Sequence, residues 1–221
     1  MPMKTTCVLI FLLVSFFQNL LAAENYPREW WAPVSRTGAP AWEILPQDAG
    51  PGEVVLSKRN ELGVFSNFGE AQFILDEVRY NSIEGLWQMM KYPDPKWDGD
   101  PRRKLAASLW PYTREQVATL VGFEAKAAGD EANKLYTKYG LKLVSYHGEA
   151  FDYKDMGAGS EAHFQIIREA TRQKVFQNPE VKALLLKTKG LKLIPDHETG
   201  TGKPKSYYYY NILMEIRDRE L

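Results

Sequence analysis

Cysteine is almost missing from this chain: there is one, Cys7, in 221 residues. It falls inside an N-terminal segment that reads as a secretory signal, so the mature chain is expected to hold none. Disulfides, thiolate nucleophiles and cysteine metal sites are thereby excluded together. Histidine is scarce too. His147, His163 and His197 lie far apart and lack the short spacing of a closed metal site. An excess of either charge is absent, because 28 basic and 28 acidic residues cancel. That leaves no overall field to favour nucleic acid or an anionic membrane. No Gly-x-Ser-x-Gly elbow marks a serine hydrolase. Gly157-Ala-Gly-Ser160 has the outline of a phosphate loop but no lysine and no preceding apolar strand. It reads better as a loop with Ser160 capping the next helix, whose N-terminus could still hold a phosphate.

The N-terminus is organised differently from the rest. Lys4 precedes an apolar run from Val8 to Phe17, too short for a confident membrane span, and Ala22-Ala23 supplies small residues before Glu24. This order predicts a secretory signal over residues 1–23 and a secreted or periplasmic protein, with an uncleaved anchor as the alternative because Leu21 is not ideal three positions before the cut. After cleavage no membrane association is expected. Residues 24–52 are rich in Pro, Gly and Trp and read as an irregular arm, with Trp30, Trp31 and Trp42 pinning it to the domain. Residues 53–221 then suit one domain.

Within that domain, Glu53–Ser57 reads as a short strand, and residues 72–76 and 78–80 as a hairpin around Asp76-Glu77. Helices are expected near 82–91, 100–109, 113–121, 124–139, 160–176, 179–188 and 207–219, with loops at 93–99, 145–159 and 194–206. Thr113 and Asn178 stand as N-cap residues, and Pro179 as a first helical residue. The expected fold class is α+β, a mostly helical single domain around a small antiparallel sheet.

The chemistry concentrates in Gly63-Val-Phe-Ser-Asn-Phe68 and Ser82-Ile-Glu-Gly-Leu-Trp-Gln-Met-Met-Lys91. On a helix, Glu84, Gln88 and Lys91 follow i, i+4, i+7 and share a face, with Trp87 beside them. A carboxylate among aromatic and polar partners is what cleavage of a glycosidic bond to a nucleobase requires. It can stabilise an oxocarbenium-like transition state and orient the attacking water. The same residues also fit a plain helix start, where the macrodipole favours Glu84 and Trp87 packs in the core.

These motifs resemble the N-terminal signature of the NADAR (NAD and ADP-ribose) superfamily, the YbiA-like proteins. Lys174-Val-Phe-Gln-Asn-Pro-Glu-Val-Lys182, Lys192-Leu193 and Ile212–Arg217 extend the resemblance to roughly residues 53–221. The resemblance implies an N-glycosidase acting on a nucleotide-derived or ADP-ribose-related compound, with Glu84 as catalytic carboxylate. It places Phe65, Ser66, Asn67, Phe68, Trp87, Gln88 and Lys91 around the substrate. It implies no cofactor or metal, and a partner that is a nucleotide-like small molecule or an ADP-ribosylated macromolecule. The 194–206 loop departs from the family pattern: it is shorter and has no Trp-Gly pair, and Ser206–Asn211 replaces the family's Gly-x-Asn-x-Leu-Gly run. Asp196 or Glu198 would then supply the loop carboxylate, and a tyrosine from 207–210 the stacking ring. Two other readings stand beside the enzyme. One is a secreted module that binds ADP-ribose without turnover; the other is an interaction protein whose exposed face is the Trp-rich arm.

Overall fold

The computed structural model describes residues 26–221, so the expected signal over 1–23 and Cys7 lie outside the described residues. Six α-helices and six short strands follow the arm. The strands are β1 (Glu53–Val55), β2 (Phe73–Leu75), β3 (Val78–Tyr80), β4 (Val144–Tyr146), β5 (Glu149–Phe151) and β6 (Lys192–Ile194). The helices are α1 (Ile83–Met89), α2 (Arg114–Ala118), α3 (Gly122–Tyr139), α4 (Ala158–Gln177), α5 (Pro179–Lys187) and α6 (Tyr209–Arg219). The class is α+β, as expected, but the strands are shared among three pairs instead of one sheet. β2–β3 and β4–β5 are antiparallel hairpins, and β1–β6 is a parallel pair with Glu53 opposite Lys192.

The β2–β3 hairpin forms as the sequence predicts, with Asp76 and Glu77 both at positive φ, the geometry of a tight two-residue turn. The strands missed are β4, β5 and β6. Residues 144–151 turn on His147-Gly148, where the signal is a single glycine, and β6 is only three residues long. Residues 100–109, expected as a helix, form two 3₁₀ turns, Pro101–Lys104 and Ala107–Leu109, separated by extended backbone at Leu105. Asp100 caps the first turn and pairs with Arg102, whose fully buried guanidinium also donates to the Met90 carbonyl at 2.7 Å and to Tyr136 Oη at 3.2 Å.

Caps fix the helix starts. Thr113 and Gln116 form the reciprocal capping box of α2. Pro179 opens α5 as expected, but the Asn178 amide donates to the Gln72 and Lys174 carbonyls instead of capping. Ser160 does not cap α4 either. Asp155 accepts from the amides of Gly157, Gly159 and Ser160 at 2.8–2.9 Å, which holds its carboxyl below the usual range. A carboxylate therefore already occupies the helix start where a phosphate was considered.

The arm is part of the packed body. Trp30 is completely buried and donates to Glu61 at 2.7 Å; Trp31 donates to the Glu53 carbonyl at 2.9 Å. Trp42, expected to pin the arm, is instead 54% exposed with its edge against His197. One continuous core runs from Trp30 through Leu56, Phe65, Phe73, Tyr80, Leu86 and Tyr92 to Leu193 and Ile216. At about 25 cal/mol per Å² of buried apolar surface, such side chains dominate the stability. Among the described residues no helix is long and apolar enough to cross a membrane.

Candidate functional site

Ser82 starts α1: its hydroxyl accepts from the Gly85 amide at 2.9 Å and donates to the Leu120 carbonyl at 2.8 Å. The neighbouring orphan amide, that of Glu84, donates to the Asn67 carbonyl at 2.9 Å. The Phe-Ser-Asn-Phe turn thus caps the helix that carries the acid. Gly85 lets α1 press against the 117–120 backbone; a Cβ there would lie 2.6 Å from the Leu120 carbonyl oxygen.

Helical spacing puts Glu84 and Gln88 on one face of α1, which ends at Met89 and not at Lys91 as expected. Lys91 follows in the next turn, its amide donating to the Gln88 carbonyl at 3.2 Å, and α3 covers the row. All three are nearly buried, at 6%, 3% and 5% exposure. Gln88 donates to Glu84 Oε1 at 2.6 Å, while its own carbonyl oxygen is buried without a partner among the described residues. Space for Gln88 comes from Gly129 on α3, where a Cβ would stand 1.7 Å from that oxygen. Burial, the largest influence, pushes the Glu84 carboxyl above its ordinary range, opposed by the Gln88 hydrogen bond and the Lys91 charge. Burial also lowers Lys91 to about 8, with the Glu84 charge opposing it. No N–O distance within 4.0 Å joins Glu84 to Lys91 among the described residues, so they act as neighbouring charges and not as a closed pair. Lys126 and Asp130 of α3 add opposing charges on the rim.

Lys91 Nζ sits 4.9 Å from the Trp87 ring centroid. Tyr153 and His163 pack on the same indole, at centroid separations of 4.6 and 4.3 Å. Trp87 is therefore half-buried among protein rings, the packing role weighed from sequence. His163 is the neighbour the sequence did not single out, since three scattered histidines gave no pattern. Its Nδ1 lies 3.0 Å from Ser206 Oγ, its Nε2 is buried without a partner among the described residues, and burial lowers it to about 3. It is neutral at any ordinary pH.

The remaining predicted residues divide. Asn67 adjoins Glu84, and its side-chain oxygen is buried without a partner among the described residues. Phe68 is half-buried, edge-on to Phe123 at 5.2 Å, with Lys58 Nζ 5.4 Å from its ring centroid. Phe65 is a core residue and Ser66 is buried; both build the turn from beneath. Among the described residues Asp196 reaches the site only through Lys58, whose ammonium also sits over the Phe68 ring. It pairs with Lys58 and lies 2.8 Å from His197 Nδ1, and no ion pair or hydrogen bond joins it to the Glu84 row among the described residues. These bonds hold its carboxyl low although burial pushes the other way. Glu198 is exposed, and Tyr207 lies near Tyr153.

A separate small cleft of about 130 Å³, whose lining does not include the Glu84 row, is bounded by Met89, Tyr80, Arg114, Tyr146 and His147. Arg114 is fully engaged there, donating to the carbonyls of Met89, Tyr92 and Ser145 at 2.7–3.1 Å. Among the described residues no group of three or more His, Cys, Asp or Glu side chains is arranged to hold a metal ion.

Neither a scan against protein-family models nor a search of curated proteins finds a match. Among solved structures, the chain is similar to the NMR structure of the E. coli protein YbiA, at 20% identity and a TM-score of 0.47 over 74% of this chain and 81% of that one.

Proposed function

We propose that the protein is an N-glycosidase that hydrolyses the N-glycosidic bond of a nucleotide-derived or ADP-ribose-related compound. The observation that carries the reading is the row Glu84–Gln88–Lys91, an acid on α1 and a base in the turn just past it, both almost buried and held close without a closed ion pair. The order of NADAR-like motifs along the sequence supports the same class. With Glu84 ionised, its carboxylate stabilises the cation that develops at the anomeric carbon and accepts a proton from the attacking water. The carbon–nitrogen bond breaks with its electron pair going to the base, and the water oxygen bonds to the sugar carbon. Lys91, with a pKa lowered to about 8, is suited to protonating the leaving nitrogen.

The second reading is a non-catalytic nucleotide- or ADP-ribose-binding module. It is favoured by one observation: Asp196, the residue expected to supply a second carboxylate, is engaged by Lys58 and His197. The Trp-rich arm is a weaker candidate for an interaction face, since Trp30 is buried. Incubating the purified protein with a panel of N-glycosidic nucleotides and measuring free base and ribose phosphate separates the first two. Release of both products supports the enzyme. Calorimetric binding of ADP-ribose with no release across the panel supports the binding module. We also propose that residues 1–23 export the chain; a protein that retains Met1 in the cytoplasm would refute export.

A further inference from the structure

Lys174 is the most deeply buried lysine at the candidate site, 2% exposed, and it projects from α4 into the back of the Phe-Ser-Asn-Phe turn. Its ammonium donates to two carbonyls, Ser66 and Gly69, both at 3.0 Å. The same Ser66 carbonyl closes the turn by accepting from the Gly69 amide at 3.0 Å. Gly69 permits this because a Cβ there would lie 2.4 Å from the Val64 carbonyl oxygen. Between those two residues lies Asn67, whose carbonyl takes the Glu84 amide.

We propose that Lys174 is a positioning residue for Glu84. It ties the 66–69 turn from behind, the turn holds the first turn of α1, and that in turn sets where the Glu84 carboxylate stands. The inference rests on the reading of Glu84 as the functional acid. The chemistry argues against Lys174 being simple filler. A methionine would occupy the same volume without desolvating an ammonium, and buried lysines are rare unless their charge is satisfied. Among the described residues no carboxylate pairs with it; burial is the only influence on its pKa, which falls to about 7. The two hydrogen bonds it makes both go to main-chain carbonyls, so its specific effect is on backbone geometry. The motif that contains it, Lys174-Val-Phe-Gln-Asn-Pro, therefore contributes to the Glu84 site from some 90 residues further along the chain, a link that sequence spacing does not reveal.

Lys174→Met tests this, with Ile167→Ala as a control. Ile167 is buried on the same helix and its apolar side chain makes no hydrogen bond to the turn carbonyls, so it reports the loss of packing alone. Hydrogen exchange of the Glu84 amide, the thermal midpoint and turnover are measured for both variants. In Lys174→Met, the Glu84 amide should lose about tenfold or more in protection while the interior of α1 keeps its own. Turnover should fall by up to about 10²-fold, the loss expected from a misplaced catalytic group, with KM changing less. Ile167→Ala should lower the midpoint without either effect. If Lys174→Met does not fold, Lys174→Gln, which retains one amide donor, should show the same losses at smaller size. Unchanged Glu84 protection in a folded variant overturns the proposal, as does equal loss in the control. Because the exchange readout needs no substrate, a wild-type protein without turnover refutes the glycosidase reading and leaves this test decisive.

Discussion

Gly129→Ala separates a functional reading of the Glu84 row from ordinary helix energetics, because the two predict opposite signs. Gly129 is buried in the middle of α3. There, alanine should stabilise by about 1 kcal/mol through helix propensity alone. The new methyl would, however, stand 1.7 Å from Gln88 Oε1 and 2.2 Å from its Cδ. Gln88 is flexible, but it is 3% exposed and its amide holds Glu84 at 2.6 Å, so moving away means breaking that bond. Overpacking costs about 1–3 kcal/mol, and a lost hydrogen bond to a charged group costs about 1.5–3 kcal/mol. The net expectation is destabilisation of about 1.5–5 kcal/mol, a fall in thermal midpoint of several degrees at about 2–4 °C per kcal/mol for this size. Glu84 would also lose the hydrogen bond that opposes its upward shift, so its titration, followed by carboxyl ¹³C NMR, should move further up. A midpoint that rises, with Glu84 titrating as before, would refute the claim that Gln88 is seated against Gly129 to hold the acid.

Other expectations follow from the same contacts. Activity should be bell-shaped in pH, with an acid limb above the ordinary carboxylate value of 4.5 and an alkaline limb near 8, from Glu84 and Lys91; a profile flat from pH 6 to 10 would remove Lys91 from the reaction. Lys174 titrates at about 7 folded and about 10.5 unfolded, so the unfolded chain binds the extra proton between those values. Wild type should therefore gain stability relative to Lys174→Met as pH rises from 7 to 10.5, and lose that gain as pH falls back through 7. Parallel denaturant midpoints for the two across that window would contradict it. Arg102→Lys should destabilise by about 3 kcal/mol or more, because it leaves Asp100 and the Met90 carbonyl poorly paired in the core; a denaturation curve within 1 kcal/mol of wild type would refute it.

The parts of the fold legible in the sequence are those with local signals. Helix starts at Thr113 and Pro179 carried capping or proline chemistry, and the 72–80 hairpin carried alternation around a turn. What escaped was set by distant partners. β6 exists because it lies beside β1, 139 residues earlier by the Glu53–Lys192 pairing. The break in 100–109 follows from the bonds Arg102 makes to Asp100, Met90 and Ser145. At the site, period 3.6 placed Glu84 and Gln88 on one face of α1, while Lys91, expected on the same helix, joins them from the turn that follows it. The period could not show that Gly129 makes room for Gln88, that His163 packs on Trp87, or that Lys58 and His197 take up Asp196.

The central claim is that Glu84 is a catalytic carboxylate, and Glu84→Gln tests it most directly, with turnover, ADP-ribose binding and thermal midpoint measured on one preparation. Glutamine keeps the shape and the hydrogen bonds but not the charge. Turnover should fall by about 10²-fold or more, with binding retained and a midpoint that does not fall, since burial already disfavours the ionised acid. Turnover equal to wild type would contradict the assignment outright, and turnover lost together with a large fall in the midpoint would reduce Glu84 to a structural residue at the start of its helix.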